Sequence, residues 1–293
     1  MEIKYIMLLP KFALFATLLT AIIGSQIFMT TSAKSQASEA SITNKTFIIN
    51  TNKYNKSNVQ KLPQSTFRLI QNDIQKRFGV SPNTLKLHAS TSETWDGCMG
   101  IPKPNGPCTA IAISGFRVVV SNQAQNRFWV YHTSNDGERL AYNSTASLPR
   151  NAKISAPKII NRNKIIPTSG DSVIFQAAQT TGFSSEYYAW ELTRDGLLTR
   201  RAIARKPGKQ ETIRQLSKQE LDKFTDVLTK NSFNHFHRLS YLNMSAIAAD
   251  AGSYQFNYYG AVVEYTQDDL QKYPANLRRI ISEWEKLLVA SSK

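Results

Sequence analysis

The sequence predicts an α+β protein: two small domains, each an antiparallel sheet with one or two packed helices, following a signal peptide. Three observations predict it. Helical runs with apolar residues three and four apart stand at 64–78, 217–228 and 277–288. Between them lie β-branched and aromatic stretches separated by Gly, Asn and Asp turns. Near the middle, residues 144–170 carry Pro149, Pro157 and Pro167 with scattered basic residues and no sustained period, which reads as an interdomain linker.

At the start of the chain, Lys4 and Lys11 precede the apolar run from Phe12 to Ile23, and small residues follow. Basic start, apolar core and small residues form the order of a secretory signal peptide, with cleavage expected after Ala33 or Ala37. An uncleaved N-terminal anchor is the alternative. We therefore assign 1–33 as signal peptide and 34–62, rich in Ser, Asn, Thr and Lys, as a flexible spacer. The chain has a formal net charge of +15, which favours contact with anionic surfaces or acidic proteins. Export disfavours nucleic acid as the partner.

The first domain is expected over 63–143. Phe67, Ile70, Ile74 and Phe78 form one helical face that Gly79 terminates. The segment LKLHASTSETW alternates as a strand, with Leu85, Leu87 and Ala89 expected on one side. Two further runs, TAIAISGFRVVVSN and RFWVYHTS, read as paired strands, and the NDG turn at 135–137 reverses the chain into ERLAY.

The chain's two cysteines, Cys98 and Cys108, flank a loop of Gly, Pro and Asn. A zinc site needs four ligands, or three and a water, and with no second Cys pair and the nearest histidines, His88 and His132, on predicted strands, the spacing does not fit one. A redox pair takes C-x-x-C spacing at a helix start, which is not found here. Export makes a disulfide the expected state, closing a loop worth about 2.7 kcal/mol in the chain-entropy model.

The second domain is expected over 171–293. SVIFQAAQTT and EYYAWELTRDGLLTRRAIA give strands joined by a glycine turn and a DG turn. Ser217 stands three residues before Glu220, a capping box for the helix carrying Leu221, Phe224, Val227 and Leu228. SYQFNYYGAVVEYT turns near Gly260, and Leu277, Ile280, Ile281, Trp284, Leu287 and Leu288 mark the closing helix. Two surfaces are candidates for a protein partner: the turn at 182–186, with Gly182 and Phe183, and the mildly apolar loop at 238–252, with Tyr241, Leu242 and Met244. A basic segment read as a loop, with Arg200, Arg201, Arg205, Lys206, Lys209 and Arg214, is the candidate contact for an anionic surface. His235 and His237 are read as packing residues at a helix end rather than metal ligands.

No catalytic, nucleotide-binding or metal signature stands in the chain, so neither an enzyme nor a cofactor is expected. The pattern W-D-G-C-x-G-x-P-x-P-x-x-x-C-T, followed by GFRVVVSN and WVYHTSNDG, resembles a motif of uncharacterised secreted bacterial proteins. Its helix-then-meander order is similar to PepSY and cystatin-like folds. From the strand before Gly182 and Phe183 to the final helix, the second half resembles emfourin, the small inhibitor of thermolysin-like metalloproteases. That resemblance implies an inhibitor-like fold and a metalloprotease partner. The expected function is therefore an exported, non-enzymatic protein-binding protein, with attachment to an anionic envelope polymer or lipid surface as the alternative.

Overall fold

The computed structural model describes residues 61–102, 106–150, 152–181, 187–203, 210–249, 251–268 and 270–289. The expected signal peptide and nearly all of the spacer lie outside the described residues. The α+β class is found, with a four-stranded and an eight-stranded sheet.

Helix α1 (Gln64–Phe78) ends at Gly79, whose φ of 65° lets its N–H return to the Gln75 carbonyl. A meander follows: β1 (Leu85–Trp95), β2 (Ile113–Asn122), β3 (Phe128–Ser134) and β4 (Leu140–Leu148), each antiparallel to the next. Both faces of this sheet are covered, so β2 and β3 read as nearly unbroken apolar runs. Phe116, Val118, Val120, Trp129 and Tyr131 pack under Ile70 and Ile74 of α1. The alternate residues Val119, Phe128 and Val130 join the core of the second sheet. Strand β1 departs from the simple alternation expected for it. Its register shifts between Leu87, opposite Val120, and Ala89, opposite Val119, a β-bulge at His88. Leu87 is thereby exposed, while Ala89 packs against the core.

The second sheet contains β5 (Lys158–Ile159), β6 (Val173–Thr181), β7 (Tyr188–Thr193), β8 (Leu197–Ala202), β9 (Glu211–Gln215), β10 (Leu239–Tyr241), β11 (Ser253–Tyr258) and β12 (Ala261–Thr266). Its order is β5-β10-β12-β11-β6-β7-β8-β9, and β10 runs parallel to β12. Helix α2 (Lys218–Lys230) begins with the expected capping box: Ser217 Oγ accepts from Glu220 N–H, and the Glu220 carboxylate accepts from Ser217 N–H. Helices α3 (Met244–Ala248) and α4 (Ala275–Val289) complete the elements used below. Phe224 of α2 and Trp284 of α4 press on Phe175 and Phe256 of the sheet, with ring centroids 5.0 to 6.2 Å apart.

Residues 144–170, expected as a linker, do more than connect. They complete β4, form β5 and bury Ile154, Ala156 and Ile160. They then run along the outer face of the large sheet, pinned by side chains from four strands. Gln255 holds Ile166 N–H and the Lys164 carbonyl, Gln176 and Arg201 donate to the Pro167 carbonyl, and Glu191 accepts from Ser169 N–H. Strand β9 was not expected either; its residues stand in the basic segment read as a loop.

Candidate functional site

A cleft of about 370 Å³ opens between the bulge of β1, the chain from Lys153 to Lys158, and the turn that leads from β10 into α3. Its position follows from local chemistry. The bulge at His88 breaks the ladder and turns that side chain out of the strand pairing. Asn243 caps α3 by accepting from Ala246 N–H, and its own amide donates to Asp268, so the turn is held from both sides. Leu242 is half-buried and Met244 is 60 % exposed. Lys153 and Lys158 are exposed on the same rim, and the residues lining the cleft include no carboxylate. His88 Nε2 is buried with no hydrogen-bond partner. Burial holds the His88 imidazole below its ordinary value, against the Ala156 backbone and with help from Lys158.

Tyr241 behaves differently from its neighbours. It is 2 % exposed, its hydroxyl donates to the Ala146 carbonyl at 2.8 Å, and it packs near Phe128 and Phe236. It therefore anchors the turn from inside, and of the residues proposed for that loop Leu242 and Met244 face the cleft. Gly182 and Phe183 lie outside the described residues.

The disulfide between Cys98 and Cys108 is present, with Cα atoms 5.3 Å apart. Its loop is organised by Asp96, whose carboxylate accepts from the N–H groups of Cys98 and Gly100. Met99, at φ 58°, turns its carbonyl onto His132 Nδ1 at 2.6 Å. A carbonyl only accepts, so Nδ1 carries the proton and Nε2 accepts from Arg117 at 3.2 Å. Arg117 in turn faces Glu93 at 3.8 Å, and Arg238 crosses from the second sheet to the same carboxylate at 2.9 Å. Burial, offset by Glu93, lowers the Arg117 guanidinium to about 10. The motif residues Trp95, Arg117 and His132 thus converge in the seam between the sheets, a convergence the sequence reading did not extract although all three stand at strand positions with matching alternation. His235 and His237 lie in the same region: the His235 carbonyl accepts from Asn143, and His237 Nδ1 accepts from Val262 N–H.

The described part of the basic segment is occupied by internal ion pairs. Arg200 meets Glu211 at 2.7 Å and lies over the Tyr188 ring, Arg201 meets buried Glu191 at 3.2 Å, and Arg214 meets Glu220 at 2.9 Å. Arg205, Lys206 and Lys209 lie outside the described residues. Among the described residues, no group of three or more His, Cys, Asp and Glu side chains is placed to hold a metal ion. None of the described helices is long and apolar enough to cross a membrane.

Residues 67–142, from α1 into β4, match a domain of unknown function, DUF8738. The matched stretch contains the disulfide loop, Trp95, Arg117 and His132. No curated protein and no solved structure matches the chain.

Proposed function

We propose that this is an exported, non-enzymatic protein that binds another protein through the Leu242–Ser245 turn at the mouth of the cleft. One observation carries the reading: Met244 is 60 % exposed on a turn anchored from beneath by Tyr241 and capped by Asn243. A flexible apolar side chain on a fixed support limits the entropy lost on docking. The Cys98–Cys108 bridge supports an oxidising compartment, and hence export. Inhibition of a secreted metalloprotease is the sharper form of this reading, supported by the resemblance of residues 171–293 to emfourin. Attachment to an anionic envelope polymer draws on the net charge of +15, but Arg200, Arg201 and Arg214 are each engaged with a carboxylate.

The test is capture from the native exoproteome with the intact protein and with Met244→Asp, at low and high salt, followed by a thermolysin-type protease assay. The reading expects a protein captured by the parent at both salt concentrations and lost with Met244→Asp. Capture that the variant retains and high salt abolishes would replace it with charge-led binding. Unchanged protease activity at micromolar protein would remove the inhibitor form alone.

A further inference from the structure

We propose that the cleft beneath the Leu242–Ser245 turn receives a carboxylate, presented as the C-terminus of a polypeptide whose last side chain is apolar. This deepens the protein-binding reading and rests on it. Four observations converge on that chemistry. The β-bulge leaves His88 without a cross-strand partner between the pairs Leu87–Val120 and Ala89–Val119 and places it among the residues lining the cleft. Its Nε2 is unpartnered and lies sealed just beneath the cleft surface, so a small turn of the ring would bring it to a ligand oxygen and recover the free energy that an unpaired buried nitrogen costs. Lys153 and Lys158 set a positive rim with no carboxylate among the lining residues, so an anion entering meets attraction from both. Ile154, Leu242 and Met244 supply the apolar part of the lining, and about 370 Å³ accommodates a terminal residue with its carboxylate.

The electrostatics agree with the geometry. His88 is held below its ordinary value by burial, and Lys158 adds to that effect. The neutral ring shares its one N–H with the Ala156 backbone, so a carboxylate oxygen would engage the other nitrogen only through the imidazolium. An anion seated between His88 and the lysines would favour the imidazolium and raise the titration midpoint of that ring. A charge-assisted hydrogen bond from His88 and two ammonium groups would then distinguish a free C-terminus from an amidated one.

The experiment titrates acetyl-Ala-Leu with a free carboxylate, its C-terminal amide, and hexanoate into the full chain, reading the His88 ring resonances by NMR. The expected result is saturable binding of the free acid that moves the His88 resonances and raises its midpoint, with the amide bound about tenfold more weakly or less. Lys153→Ala with Lys158→Ala, both at exposed positions, should weaken the acid by a similar factor without moving the thermal midpoint. His88→Gln should do the same and provides a second variant. Equal binding of acid and amide, binding that leaves His88 unmoved, or no binding up to millimolar ligand would overturn the proposal. Hexanoate bound as tightly as the peptide acid would overturn the assignment to a polypeptide and place a free organic acid in the cleft. Failure of the broader reading is separate, because it shows as capture of a partner that Met244→Asp leaves intact.

Discussion

Trp95 and His132 lie ring on ring, with centroids 4.1 Å apart and planes 8° from parallel. Trp95 is the last residue of β1 before the disulfide loop, and His132 pairs directly with Arg117 across β2 and β3. The Arg117 guanidinium lies 5.1 Å from the Trp95 ring centroid. Trp95 Nε1 donates to the Thr133 carbonyl, and Gly100 packs so close to the indole that a Cβ there would fall 2.9 Å from it. The loop, the sheet and the seam are therefore locked by one set of contacts, and all of it needs His132 neutral. A second proton would remove the acceptor that Arg117 uses and place two cations together.

Glu93 is the carboxylate that makes this seam tolerable. It is buried and meets Arg117 at 3.8 Å, Arg238 at 2.9 Å and Arg162 at 3.9 Å. Glu93→Gln keeps the shape but leaves buried Arg117 and Arg238 uncompensated. The expected loss is about 3–5 kcal/mol in urea unfolding. Arg200→Ala, which breaks the exposed pair with Glu211, should cost less than about 1 kcal/mol. Equal losses from the two variants would contradict the assignment.

The same seam predicts acid sensitivity. Burial, followed by Arg117, drives His132 well below its ordinary value, lowers His235, and takes His237 to about 3 with Arg238 and Arg162 adding to the effect. In the unfolded chain each histidine titrates near pH 6.5. Below that value the unfolded state binds more protons, so stability falls as pH falls, by about 1.4 kcal/mol per pH unit for each histidine still neutral in the fold. Three together give a slope of up to about 4 kcal/mol per pH unit. Urea midpoints should be level above about pH 7 and drop steeply from pH 6 to 5. A level profile down to pH 5 would show that the seam admits protons freely.

Removing the disulfide should be a moderate perturbation. Cys98→Ser opens the small loop and should lower stability by about 2.7 kcal/mol in the chain-entropy model. Asp96 still caps the loop through Cys98 N–H and Gly100 N–H, and the Met99 carbonyl still reaches His132. The thermal midpoint should drop by about 5–10 °C, while partner capture through the Met244 turn is unchanged, since that turn lies on the other sheet. Loss of capture in Cys98→Ser would tie the loop to binding.

Local patterns carried much of the fold. The apolar spacing of Phe67, Ile70 and Ile74, the Ser217–Glu220 box, and the NDG and Gly260 turns each specify an element through contacts a few residues apart. What stayed hidden depends on distant partners. Ile154 and Ala156 look like linker residues until the two sheets bury them, and the bulge at His88 has no local mark because it is set by register against β2. The candidate site was legible in part. Leu242 and Met244 stood out with Tyr241 in a mildly apolar loop, and Tyr241 is separated from them only by strand alternation and the Ala146 carbonyl.

That separation gives the most discriminating pair of variants. Tyr241→Phe removes one buried hydroxyl and leaves the Ala146 carbonyl without its partner, so it should cost about 1–3 kcal/mol of stability. Binding through the turn should persist wherever the variant is folded. Met244→Asp alters an exposed side chain with no structural partner to lose, so its unfolding midpoint should shift by less than about 0.5 kcal/mol. Its effect should fall on partner capture instead, through a desolvated apolar contact replaced by a carboxylate. Paired urea unfolding and capture assays separate the two. If Met244→Asp unfolds the protein, or Tyr241→Phe abolishes capture while remaining folded, the roles of anchor and contact are reversed.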